Sequence, residues 1–197
     1  MNLTPKQLKI LQLIRDYRVR RGYSPTMQEL DLTNEAAVTA YYAGLPELWA
    51  PVHLAVGFAG APITETSLAD VAKQHDMNFI TAFLCCREAV RKNAKRIVNV
   101  VSKAALEPTG GTLAYSTSKA ALVALTRGLA EEVKGKGIWV NAVAPSIMDT
   151  PANRKAMPKA DFEKWPKTGD VAKAILWLAS EENALTTGSI VPVYGAT

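Results

Sequence analysis

The sequence predicts an α/β protein: a partial Rossmann-like, doubly wound parallel sheet preceded by an N-terminal helical segment. Three observations carry this. From residue 50 onward, short apolar runs alternate with longer amphipathic stretches. The apolar runs are near-continuous, as strands are when helices cover both faces of a sheet. Residues 1–44 show helical spacing and no strand-like run.

The elements follow in order. Thr4, Pro5 and Gln7 form the cap, first position and capping-box partner of a first helix, with Ile10, Leu13, Ile14 and Tyr17 on its apolar face. Gly22 stops it, and Ser24-Pro25 opens a short second helix. "DLTNEAAVTAYYAGL" reads as a third helix, capped by Thr33 and closed by Gly44, with Pro46 preventing continuation. Parallel strands are expected near 52–58, 96–102, 138–143 and 190–194, and Pro192 gives the last an edge position. Between them, Ser67 and Asp70 open a long helix running to about Lys92. Further helices are expected over Thr112–Lys134 and Gly169–Ser180. Residues 146–168 read as a loop with short helical turns.

Composition fits a folded chain: 48% of residues are hydrophobic and 21% charged, which argues against disorder. No apolar run reaches the roughly 20 residues that span a bilayer, and Met1–Lys9 lacks the apolar centre of a signal peptide. Cys85 and Cys86 are adjacent in a helical pattern, so neither a mutual disulfide nor metal spacing is expected. A cytoplasmic location is the expectation. Of the net charge of +5, residues 1–30 carry +4, from six basic and two acidic residues. Such asymmetry marks either a solvated helix face or a nucleic-acid-binding segment.

Tyr115 and Lys119 lie one helical turn apart, on one face. An ammonium beside a phenol favours phenolate, pulling the tyrosine below its usual pKa of about 10 and suiting it to exchange a proton with an alcohol or carbonyl. By itself the spacing also fits a surface helix pair. Ser102 stands at the end of a predicted buried strand, where open α/β sheets place their sites. Asn78, among apolar neighbours in "DMNFITAF", is either a packed core amide or a functional one.

The segment "RIVNVVSKAALEPTGGTLAYSTSKAALVALTRGLAEEV" resembles the active-site stretch of the short-chain dehydrogenases/reductases. "GIWVNAVAPSIMDTP" resembles their next strand and the loop that covers the nicotinamide. "ALTTGSIVPVYG" resembles their closing strand. The resemblance covers about 150 residues in order, from 31 to 197 at its widest. It implies Tyr115 as proton donor or acceptor, Lys119 as the group that tunes it and holds the nicotinamide ribose, and Ser102 as hydrogen-bonding the substrate oxygen. It implies Asn78 holding a water in a proton relay. Ile147 and Thr150 would contact the carboxamide, and Asp31 would lie near the adenine. The implied cofactor is NAD or NADP, and the implied substrate is a small-molecule carbonyl or alcohol. A homo-oligomer built on the long helices is implied too, and no membrane partner.

The chain departs from the family's pattern at its start. The usual Thr-Gly-x-x-x-Gly-x-Gly loop is absent, Gly22 being the only glycine before Gly44. "GFAG" (57–60) stands for Asn-Asn-Ala-Gly, and Pro145-Ser146 for Pro-Gly. In place of the first strands, "LTPKQLKILQLIRDYRVRRGYSPTMQEL" resembles the start of the LexA repressor's winged-helix DNA-binding domain, ending before the recognition helix. The sequence thus reads as a LexA-like fragment over 1–30 joined to a truncated dehydrogenase domain over 31–197. Three readings follow: an oxidoreductase weakened by the missing loop, a DNA-binding protein without specific base readout, and a non-enzymatic scaffold. The strand at 52–58, lacking its inner neighbour, is expected to be an exposed apolar edge.

Overall fold

The structure, a computed structural model, describes residues 31–197. The chain divides into two compact units, Met1–Asp31 and Leu32–Thr197. The readings made for residues 1–30 lie outside the described residues.

In the second unit, helix α1 spans Glu35–Ala43. Its cap is Asn34 rather than Thr33: the Asn34 side chain accepts from the Ala37 N–H. Strand β1 covers only Val52–His53. Helix α2, Leu68–His75, opens on a reciprocal capping box between Ser67 and Asp70. It passes through a π-helical turn, Asp76–Ile80, into α3, Thr81–Arg91, so the long helix expected here carries a local bulge. Strand β2 is Arg96–Val100, helix α4 Leu113–Val133 and strand β3 Trp139–Pro145. Gly137 ends a short turn after α4 at φ +68°, a left-handed conformation that glycine adopts at no steric cost. Short helix α5, Pro151–Ala156, helix α6, Thr168–Ala179, and strand β4, Ile190–Val193, complete the unit.

The four strands form one parallel sheet in the order β1-β2-β3-β4. Alternate residues of the central strands serve opposite faces. Ile97, Val101, Val140, Ala142 and Ala144 pack with α3 and α4; Val98, Val100 and Val143 pack with α6. This is the expected three-layer arrangement, and it leaves every residue of β2 buried. β4 lies at the sheet edge with Pro192 exposed, where a missing N–H costs no ladder bond.

The first expected strand is the exception. Val52 and His53 pair with Val98 and Asn99, and the chain then leaves the ladder. Leu54, Val56 and Phe58 are exposed at 61%, 45% and 68%, three apolar side chains at strand spacing. Gly57 between them is held from the other side: Asn78 Oδ1 accepts from its N–H at 3.1 Å, and Asn78 Nδ2 donates to its carbonyl at 2.9 Å.

Candidate active site

Because the strands are parallel, β2 and β3 deliver their following loops to the same edge of the sheet. Ser102 stands just past β2, capping a short turn by accepting from the Ala104 N–H at 3.2 Å. Helix α4 returns across the sheet and brings Tyr115 close to it, near enough for the Ser102 hydroxyl to act on the phenol. Lys119, one turn on, is fully buried. Its Nζ donates to the Val100 carbonyl at 2.8 Å and lies 6.0 Å from the Tyr115 ring centre. Phe58 meets the same ring edge-on at 5.0 Å.

Desolvation governs the electrostatics here. Burial pushes Tyr115 above its ordinary pKa, and the Ser102 hydrogen bond pulls the other way. Burial also lowers Lys119 to about 7. The expectation that the ammonium pulls the phenol down therefore does not hold for this state. The two groups share a low-dielectric pocket that disfavours charge on either, and Lys119 near neutrality is only partly protonated.

Asn78 sits in the π-helical turn, fully buried. Its amide N–H groups face the Gly57 carbonyl, the Gln74 carbonyl at 3.0 Å and Gln74 Oε1 at 3.2 Å. An amide has two donors and two acceptor lone pairs. The donors are thus spoken for, and one lone pair on Oδ1 remains for a water. The turn carries Asn78 to the Gly57 segment.

Past β3, Ile147 is exposed, and Thr150 caps α5 by accepting from the Asn153 N–H at 3.2 Å. Asp149 between them accepts two hydrogen bonds from Arg154, at 2.6 and 2.9 Å, and one from Lys167 at 2.9 Å. These cations hold its carboxyl well below the usual carboxylate range. Asp31 is exposed and falls in the first compact unit. The structure thus brings Ser102, Tyr115 and Lys119 near one another and sets Asn78 in the π-helical turn that holds Gly57. Ile147 and Thr150 lie on the neighbouring strand-end loop.

Sequence reasoning missed Gln74, Phe58 and Asp149. The only signal for the last was an acid beside Thr150 with Arg154 five residues on; its second partner, Lys167, comes from another element. A pocket of about 140 Å³, lined by Gly60, Thr66, Asp70, Gln74 and Thr112 among others, opens next to the Asn78 turn. It is smaller than the roughly 300–1,000 Å³ of typical ligand sites. Among the described residues no group of acidic, histidine or cysteine side chains is placed to hold a metal, and no helix is long and apolar enough to cross a membrane.

A parallel sheet flanked by helices, with Ser, Tyr and Lys gathered past its strand ends, defines an α/β protein of dehydrogenase type. Residues 13–195 match the family model described as enoyl-(acyl carrier protein) reductase, and the chain belongs to the short-chain dehydrogenase/reductase family of oxidoreductases. The galactitol 2-dehydrogenase of Rhizobium johnstonii is 35% identical over 88% of this chain and 76% of its own length. The uncharacterized oxidoreductase YgfF of Escherichia coli is 27% identical over 96% of this chain and 86% of its own. The solved structure of ElxO with NADP bound superposes with a TM-score of 0.80 at 25% identity, covering 94% of this chain and 91% of that one. The family match begins at residue 13, inside the stretch that resembles the LexA domain, and the comparisons give no support to a LexA-like fusion.

Proposed function

We propose that this protein moves a hydride between NAD(P) and a small carbonyl or alcohol substrate, with Tyr115 exchanging the proton. The observation that carries the reading is the buried Lys119. An ammonium has three donors, and Lys119 spends one on the Val100 carbonyl. Its remaining N–H groups can donate to further oxygens, and ribose hydroxyls would supply them and favour the charged form. The nicotinamide end of a dinucleotide therefore fits the residues present. For the pyrophosphate end, the sequence lacks the glycine-rich loop whose N–H groups would receive it. Among the described residues, Gly57 and Gly60 use their missing side chains against Met77 and the Gly111 carbonyl, not to form a cradle.

When bound, the nicotinamide supplies or accepts the hydride. The chain's own residues do the rest. Ser102 Oγ and Tyr115 Oη, close to each other, together hold the substrate oxygen. Tyr115, kept neutral by burial, donates its proton as negative charge develops on that oxygen, and takes one back in the reverse direction. Lys119, gaining ribose oxygens, becomes more fully protonated and favours the phenolate that results. Asn78 holds the Gly57–Phe58 wall and offers its remaining lone pair to a water. Thr150, whose oxygen caps α5, keeps its proton to donate to the carboxamide, against which Ile147 packs. Asp31 is assigned to the adenine by resemblance alone.

Assembly as a homo-oligomer through the long helices is part of this proposal, supported by exposed Leu68, Phe83 and Leu113. So are a cytoplasmic location and only weak, salt-sensitive contact of the basic first 30 residues with DNA. The test is calorimetric titration with NADH and NADPH, followed by carbonyl reduction by wild type and Tyr115→Phe. Saturable binding is expected, weaker than in relatives that carry the glycine loop. Turnover should fall at least about 100-fold in the variant, the scale of general acid–base catalysis. Turnover that ignores Tyr115, or no binding of either nucleotide, would refute the reading.

A further inference from the structure

The loop after β3 presents Ile147 and Thr150, yet little apolar packing holds it. Ile147 is 45% exposed, and only Met148 packs into the core, against the Val98–Val143 face. The remaining constraints are polar and centre on Asp149. Its N–H donates to the Pro166 carbonyl at 3.0 Å, and a parallel bridge aligns it with Lys167. Its carboxylate takes the fork of Arg154 on both oxygens and Lys167 on one. Arg154 in turn stacks over the Phe162 ring at 4.8 Å. Asn153 closes the turn by donating to the Met148 carbonyl at 2.8 Å. Exposed ion pairs usually contribute little. This one differs because the acid side chain is only 10% exposed, the Arg contact is two-pronged, and a second cation arrives from another segment.

We propose that Asp149 is a positioning residue: through Arg154 and Lys167 it fixes the turn that carries Ile147 and Thr150, and so sets affinity for the nicotinamide cofactor without touching it. The inference rests on the functional reading above, since the cofactor is what the turn is positioned for. The carboxylate ties together 149, 154 and 167, so one group orients both the start of α5 and the approach to α6. Asparagine keeps the shape but turns an amide donor toward two cations, which opens the tie. Glutamate keeps the charge and restores part of it.

Two measurements test this on the full chain. The first is amide hydrogen exchange over residues 146–157 in the cofactor-free protein. Asp149→Asn is expected to exchange there about tenfold faster than wild type, with β2 and α4 unchanged and Asp149→Glu in between. Equal exchange in wild type and Asp149→Asn would overturn the proposal whatever the cofactor does. The second is titration with NADH and NADPH. The dissociation constant and the cofactor KM are expected to rise about tenfold in Asp149→Asn, with kcat within about threefold, and Asp149→Glu is expected to recover part of the loss. Faster exchange with unchanged cofactor affinity would overturn the link from loop to cofactor. Wild type that binds neither nucleotide would refute the functional reading, and with it the role of the loop, while the exchange data still decide whether Asp149 fixes the turn.

Discussion

β2 and the run from Val52 to Phe58 are neighbours in one sheet and both mostly apolar, yet one is held over its whole length and the other leaves the ladder after two residues. β2 hydrogen-bonds on both sides and is covered by α3 and α4 on one face and by α6 on the other. The other run pairs on one side among the described residues, and the Gly57 peptide groups bond to Asn78 instead of to a strand. The site divides along the same line. Lys119 hangs on β2 through the Val100 carbonyl, and Ser102 follows β2 directly. Phe58 and the Asn78 clamp belong to the lightly held side.

The largest effect is expected on the firmly held side, from Lys119. Its folded pKa is lowered from 10.5 to about 7, so the folded state resists protonation that the unfolded state accepts. Below about pH 7 both states carry the charge and the burial penalty is fully present. As pH rises from 7 toward 10.5 the unfolded state binds more protons, and stability increases. Urea unfolding of cofactor-free protein should show wild type gaining about 2–3 kcal/mol between pH 7 and 9.5 relative to Lys119→Met, at about 1.4 kcal/mol per pKa unit. The comparison with the variant is essential, because Cys85 and Cys86 are raised by burial and oppose the trend. Parallel pH profiles for the two proteins would mean that Lys119 is solvated and that β2 does not grip it.

On the other side, Asn78→Ala removes both partners of the Gly57 peptide groups at once. Leaving buried polar groups unpaired costs about 1–3 kcal/mol, and about 2 kcal/mol is expected here. Faster hydrogen exchange should be confined to residues 54–60. A loss below about 0.5 kcal/mol would show that water replaces the amide and that the segment needs no clamp.

The same division explains what was legible in the sequence. Strands at 96–100 and 139–145 are readable because residues covered on both faces are mostly apolar, the buried Asn99 and Asn141 being bonded to Thr126 and the Thr186 carbonyl. Ser67 and Asp70 announced their helix through a local capping box, and Tyr115 and Lys119 their shared face through helical spacing. The π-helical turn that presents Asn78 left no such mark, since one extra residue per turn alters no residue type. The third helix was read one residue early, because Thr33 and Asn34 both suit a cap and only the folded backbone chooses. β1 was read too long because its length depends on neighbours rather than on its own residues. The tie at Asp149 was hidden because Lys167 reaches it from a segment 18 residues on, a tertiary contact without sequence periodicity.

The smallest effect gives the sharpest comparison. A Cβ added at Gly57 would sit 1.6 Å from Met77 Cε and 3.0 Å from its sulfur. Something must move, and two things can. If the Asn78 clamp holds the backbone, the Met77 side chain must yield, and Gly57→Ala costs about 1 kcal/mol, the low end for overpacking against a flexible side chain. In a Met77→Ala background the obstacle is gone, and the same change should cost nearly nothing, a coupling of about 1 kcal/mol between the two positions. If instead the segment is free to shift, the backbone absorbs the methyl group in either background and the two changes add. A double-mutant cycle by urea unfolding separates these outcomes. Repeating it with Asn78→Ala present should abolish the coupling, because without the clamp the Gly57 backbone is the softer of the two.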